Sequence, residues 1–123
     1  MKYDISTDKV VAMYETLAGK NFNLSEGQLF CATACGVISG WIDTSKVDPA
    51  CADQICYAAA CMANYRRVLK ASEAASDLKA GDISVKDCSE KSIAVAKKLY
   101  DDAVEAISFM LKPKRFAFLS VKG

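Results

Sequence analysis

Apolar side chains recur at helical spacing in four stretches of this chain, and polar, Gly or Pro signals separate the stretches. Val10, Met13, Tyr14 and Leu17 follow Thr7-Asp8 on one face, and Gly19 with Asn21 and Asn23 ends the run. The spacing predicts a first helix over 7–18. Ser25-Glu26-Gly27-Gln28 has capping-box spacing, in which a hydroxyl and a carboxamide three residues on satisfy orphan backbone N–H groups. Apolar residues continue to Ile42, so a second helix is expected over 26–41. Phe30, Ala34, Val37, Ile38 and Trp41 gather on one side of it, while Ala32, Gly36, Ser39 and Gly40 form a face of small residues that lets another backbone come close.

Asp43 to Val47 reads as a polar connection. Asp48-Pro49 then sets a capping carboxylate before a Pro at the first helical position, where its missing N–H costs nothing. A long third helix is expected over 49–74. From Ile55 to Ala63 nearly every residue is apolar, Ala or Cys, so this segment has no solvated face and should run through the middle of the domain. Beyond Lys70 the apolar periodicity fades, and fraying is expected near Ala74 or Ala75. Lys79-Ala80-Gly81-Asp82-Ile83-Ser84-Val85-Lys86-Asp87 changes character: a Gly-Asp turn precedes an alternating triplet suited to an extended arm or hairpin.

Asp87-Cys88-Ser89-Glu90 repeats the capping spacing, and Ile93, Ala96, Tyr100, Ala103, Val104, Ile107 and Leu111 form the stripe of a fourth helix over 89–112. Its other face carries Lys97, Lys98, Asp101, Asp102 and Glu105, yet Phe109 falls among these charges, and Val95 and Leu99 widen the apolar arc. Pro113 stops the helix, and Lys114-Arg115-Phe116-Ala117-Phe118-Leu119 opens an extended basic and aromatic tail over 113–123. The fold expected is mainly α: a single-domain bundle of about four helices over 1–123, with a short extended arm near 79–87 and an extended C-terminal tail.

The chain has 123 residues, enough for one domain, and its 52% hydrophobic and 25% charged residues place it among chains that fold. Residues 1–62 carry a net charge of −3 and residues 63–123 of +4, an asymmetry suited to unlike faces meeting in self-association and too small for a dedicated nucleic-acid binder. Arg66, Arg67, Lys114 and Arg115 are candidates for DNA or rim contact. No apolar run is long enough for a signal peptide near Met1, or for the roughly 20 residues that span a bilayer, so a cytoplasmic chain without membrane contact is expected.

There is no His, which removes the commonest general base and an imidazole ligand. Cys31, Cys35, Cys51, Cys56, Cys61 and Cys88 lack the paired spacing of a zinc site; Cys31 and Cys35 are one turn apart, and Cys51 and Cys88 fall near first helical turns, where a thiol can be mildly activated. The six read as buried thiols acting as small hydrophobes. No enzyme activity, metal or cofactor is expected. The chemistry that stands out is apolar surplus: Phe109 on a charged face, and Phe116, Phe118 and Leu119 beyond a helix stop, a surplus that fits either a contact with another chain or a tail folding back to cap its own core.

In this layout the chain resembles the head-to-tail connector proteins, or head-completion adaptors, of tailed bacteriophages and prophages. The resemblance runs over about 50–119 and is carried by the central Ala-rich helix, the Lys79 to Val85 arm with its Gly-Asp turn, the amphipathic helix of Ile93 to Leu111 and the basic-aromatic tail. It implies a structural virion-assembly protein whose copies form a ring beneath the portal and extend the channel for DNA, which passes without specific binding. Gly81, Asp82, Ile83, Ser84 and Val85 would then reach a neighbouring subunit. Phe109, Phe116, Phe118 and Leu119 would dock onto the portal or a tail-completion protein. The protein would move from the host cytoplasm into the virion at the head-tail junction. The residues alone also fit a small cytosolic helical interaction or regulatory module that uses the same apolar surplus to bind one partner.

Overall fold

The computed structural model describes residues 3–78 and 90–112; the arm over 79–87 and the tail over 113–123 lie outside them. Ser6 caps the first helix by accepting a hydrogen bond from the Lys9 N–H at 3.4 Å, and α1 runs over Thr7–Ala18 as its spacing predicts. Gly19 ends it at φ 59°, a left-handed conformation that side chains with a Cβ resist. The second helix, α2 (Leu24–Trp41), starts two residues earlier than the Ser25 capping signal suggests. Asn23 is the cap, its Oδ1 accepting from the Glu26 N–H at 3.1 Å. Asn23 and Ser25 each precede a Glu or Gln by three residues, and Asn stands at the top of the capping order, so the earlier signal wins.

Two short 3-10 turns join α2 to α3. Asp43 organises the first, accepting from the Ser45 N–H at 3.1 Å and the Ser45 hydroxyl at 2.7 Å. Those bonds hold its carboxyl below the usual carboxylate range. Asp48 organises the second by accepting from the Ala50 N–H at 3.0 Å, with Pro49 at the first position. Pro49–Cys51 is a 3-10 turn rather than the first turn of the helix, and α3 spans Ala52–Leu78. It therefore continues past the expected fraying at 74–75. Ala71, Glu73, Ala74 and Ala75 are strong helix formers, and propensity carries the helix on where apolar periodicity fails.

The fourth helix, α4 (Glu90–Ala106), stops well short of Pro113. Ile107 leaves the helix at φ −106°, ψ 11°, and Ser108–Met110 forms a 3-10 turn. Leu111 then makes an antiparallel bridge to Ile42, in which the Asp43 N–H donates to the Met110 carbonyl at 2.8 Å and the Lys112 N–H to the Trp41 carbonyl at 2.9 Å. The bridge decides this early end: Ile107, Met110 and Leu111 fall at i, i+3 and i+4 and could all be buried from one helix face, but only an extended Leu111 can pair with Ile42 at the end of α2.

Helix α3 packs against α1, α2 and α4, and α1 also packs against α2. Ile55, Ala58, Ala59, Ala60 and Ala63 have no exposed surface at all, and Cys56, Cys61 and Met62 have almost none. The expectation of a central buried helix is met, with Tyr57 as its half-open exception at 37% exposure. Small residues here let three helices approach one backbone. Where α1 meets α2 the fit is tighter still: a Cβ on Gly27 would stand 2.8 Å from the Tyr14 ring, itself fully buried and tilted against Phe22 at 6.0 Å. The small-residue face of α2 is divided. Ser39 is buried and donates to the Tyr3 carbonyl at 2.7 Å, whereas Gly36 and Gly40 face open space.

These differences give opposite expectations for the same substitution. Gly36→Ala should raise stability by about 0.5–1 kcal/mol, because nothing opposes the new methyl and Ala is the better helix former. Gly27→Ala should lower it, since the Tyr14 ring must shift. Urea denaturation of both variants checks the signs. Ile55→Asp and Met62→Asp should each unfold the chain by burying an unpaired carboxylate, seen as loss of helical circular dichroism.

Candidate assembly surface

α4 presents an acidic exposed face over its second half. Residues 99–111 hold Asp101, Asp102 and Glu105 and no basic residue, and the last turn of α4 carries no cation to offset the helix dipole. Lys97 pairs with Asp101 at 2.8 Å and Lys98 with Asp102 at 3.3 Å, both one turn apart and solvent-exposed, so they stabilise the helix only slightly. On the inner side Ala96, Ala103 and Ile107 are buried, and Tyr100 stacks on Tyr65 of α3 with centroids 5.8 Å apart. Tyr65 opposite Tyr100, and Tyr57 opposite the 99–106 segment, show that α3 and α4 run antiparallel.

Between them lies a groove of about 200 Å³ lined by Gln54, Tyr57, Leu99, Asp102, Ala103 and Ala106. Tyr57 forms one wall, and the Cys61 thiol one turn on raises its hydroxyl pKa above the ordinary value. Ala103 and Ala106 leave the opposite wall low. At 100° per residue Val95 stands on the same face of α4 as Leu99 and Ala106, and its side chain is 53% exposed. Sequence periodicity shows the widened arc of Val95 and Leu99, but not that Tyr57 faces it.

Phe109 is 55% exposed on the 3-10 turn after α4, between the buried Met110 and a half-buried Ser108. It is the one proposed docking residue among those described, and it stands open as the pattern suggests. Phe116, Phe118 and Leu119, the arm residues Gly81, Asp82, Ile83, Ser84 and Val85, and the basic Lys114 and Arg115 lie outside the described residues. Arg66 is exposed, whereas Arg67 is half-buried and donates from Nε and Nη2 to Asn64 Oδ1 at 3.3 and 2.9 Å. Arg67 thereby satisfies a buried Asn, and the two arginines form no joint patch. Further exposed apolar side chains that the sequence pattern did not single out are Leu24 and Leu29 on α2 and Leu69 on α3.

Cys31, Cys35, Cys56 and Cys61 are buried and Cys51 is half-buried. Burial pushes the Cys31 thiol up to about 12, and it raises Cys35, Cys56 and Cys61 as well. Such thiols stay protonated and behave as small apolar groups. Cys88 lies outside the described residues. Among the described residues no three His, Cys, Asp or Glu side chains gather as a metal site, and no helix is long and apolar enough to cross a membrane. Comparison with protein-family models, curated proteins and solved structures returned no match.

The Cys31 shift has a pH consequence. Its folded value lies above the ordinary 9.0, so its contribution is complete below pH 9 and is lost as pH rises toward 12, where the unfolded chain releases a proton that the folded chain keeps. The urea midpoint should fall as pH passes from 9 to 11, and fall less steeply in Cys31→Ala; equal slopes would contradict the assignment.

Proposed function

We propose that this chain is a structural assembly subunit that joins other copies of itself, and more specifically a subunit of the head-to-tail connector ring of a tailed phage or prophage. The observation that carries the reading is Phe109, more than half exposed beside a bundle that otherwise buries Ile107, Met110 and Leu111 from the same short segment. A large aromatic left in water next to a complete core suits an interface, where aromatic anchors dominate binding energy. The apolar groove between α3 and α4 and the open Val95 add further exposed apolar surface.

The connector assignment draws on the helix order and on the sequence resemblance of the arm, α4 and the basic-aromatic tail. In it the Gly81 to Val85 arm adds backbone hydrogen bonds to a neighbouring copy, and the end of the chain with Phe109 carries the aromatic contacts to further components. A net charge of +1 suits a conduit along which DNA slides without sticking.

Changing Phe116 and Phe118 together to Ser should keep helical circular dichroism and shift stability by no more than about 2 kcal/mol while abolishing assembly. Collapse of the fold in that variant would instead place the aromatics in the chain's own core. Portal, capsid and tail genes beside the coding sequence support the connector assignment, and a neighbouring toxin or regulator gene in their place defeats it.

A further inference from the structure

The outward face of α2 carries no charge. From Gly27 to Ile42 the sequence holds no Lys, Arg, Asp or Glu, although Ala32, Thr33, Gly36 and Gly40 are exposed and Leu29, at 67%, is the most exposed large apolar side chain among the described residues. At 100° per residue these five positions fall within about 100° of one another, on one face. A helix face that stays in water normally carries charged side chains, so this one lacks its cover. Beside it a hollow of about 390 Å³ lies between α2 and the N-terminal segment, lined by Tyr3 and Asp4 on one side and Cys35, Gly36 and Ser39 on the other. The Ser39 hydroxyl, donating to the Tyr3 carbonyl at 2.7 Å, holds that segment against α2. The exposed Asp4 has neither a hydrogen bond nor an ion pair among the described residues.

Eleven residues follow Lys112, and they start at the foot of this face. The Lys112 N–H donates to the Trp41 carbonyl at 2.9 Å, and the antiparallel register of Leu111 with Ile42 sets Pro113 beside Gly40. An extended chain advances about 3.3 Å per residue and a helix 1.5 Å, so the two can be compared level by level. Lys114 and Arg115 lie about 7 and 10 Å past Lys112, and Gly36, beside Asp4, lies about 7.5 Å before Trp41. Phe116 and Phe118 lie about 13 and 20 Å along, against about 13.5 Å for Ala32 and 18 Å for Leu29. The order of chemistry agrees with the distances: two cations pass the carboxylate, and the aromatics then meet the apolar stretch. Two features favour a copy's own segment over that of a neighbour. Leu111 and Lys112 of the same copy already hold the foot of the face, so a foreign segment would have to enter against the strand rooted there. The tether also keeps the copy's own segment at an effective concentration on the order of mM, with no association step.

We propose that the segment from Pro113 to Leu119 lies along α2 of its own copy, with Phe116 and Phe118 covering Ala32 and Leu29 and the Lys114-Arg115 pair beside Asp4. In the assembly proposed above, the aromatics reach another component only after leaving this face, so the contact restrains a single copy until a partner displaces the segment. That restraint rests on the reading that the chain assembles; the contact with α2 stands without it.

The test uses the full chain with Phe118 replaced by the photoreactive p-benzoylphenylalanine, mixed at low concentration with nitrogen-15-labelled wild-type chain, irradiated, digested with trypsin and analysed by mass spectrometry. The expected result is cross-linking of the probe to the unlabelled peptide of residues 21–46, which contains all of α2. The yield should drop at least tenfold when the probe chain also carries Leu29→Lys, and again with Thr33→Lys, and it should be unchanged with Ala106→Arg on α4. All three positions are exposed, so the variants keep their fold, which circular dichroism verifies. Cross-links to the labelled copy, cross-links to other peptides, a yield that ignores both α2 substitutions, or no cross-link at all would each overturn the proposal. Gene neighbourhood decides the connector assignment separately, so a cross-link in a chain with no phage neighbours would retire that assignment and leave the contact on α2 standing.

Discussion

From Ile55 to Ala63 the third helix is covered almost all round, and the rest of the molecule is arranged to make that possible. A helix without a solvated side must have neighbours on every flank, and only Ala and Cys are small enough to let three neighbours approach one backbone at close-packed density. The requirement propagates outward. α1 and α2 must meet each other as well as α3, which brings Tyr14 onto Gly27 so closely that no Cβ fits there. α4 must lie along the one remaining flank, and the chain beyond it must turn under the bundle so that Ile107, Met110 and Leu111 seal the lower end against Ile42.

Sealing the end in this way also determines what is left outside. A 3-10 turn that points Met110 inward turns Phe109 outward, so the exposed aromatic is the geometric counterpart of a buried thioether side chain rather than an isolated accident. Likewise, Ala103 is small enough for α4 to settle on α3, and with Ala106 it leaves a hollow beside Tyr57 that the domain does not fill. The same small residues that permit dense packing inside create an unfilled apolar groove outside. Among the described residues four i, i+4 or cross-helix ion pairs decorate the surface, but all are exposed and none determines the arrangement.

The helices were legible because each has either a strong apolar period or a strong cap. α1 and the centre of α3 show this most plainly. Boundaries were read less well where two local signals compete. Asn23 and Ser25 offer rival caps of equal spacing, and the stronger acceptor prevails. Pro113 is a visible stop, but the backbone bridge of Leu111 to Ile42 ends α4 earlier, and a tertiary contact of this kind leaves no mark in local periodicity. The open Phe109 was visible as an aromatic among charges. The groove was not, since nothing in the sequence says that Tyr57, in the most apolar stretch of the chain, is the residue that faces Leu99 and Ala106. The thiols were legible too: without paired spacing they read as small buried hydrophobes, and the four on α2 and α3 are core groups whose pKa values burial raises.

In the proposed assembly Tyr57 and Phe109, both open in one copy, are covered by other copies. Hydroxyl-radical footprinting of the full chain over a wide range of protein concentration measures this directly, with Tyr57 and Phe109 as the reporting side chains and the fully buried Tyr14 as the internal standard. Oxidation of both reporters should fall together as concentration rises while Tyr14 stays protected throughout. Reporters already protected at the lowest concentration, or equally oxidised at every concentration, would contradict it.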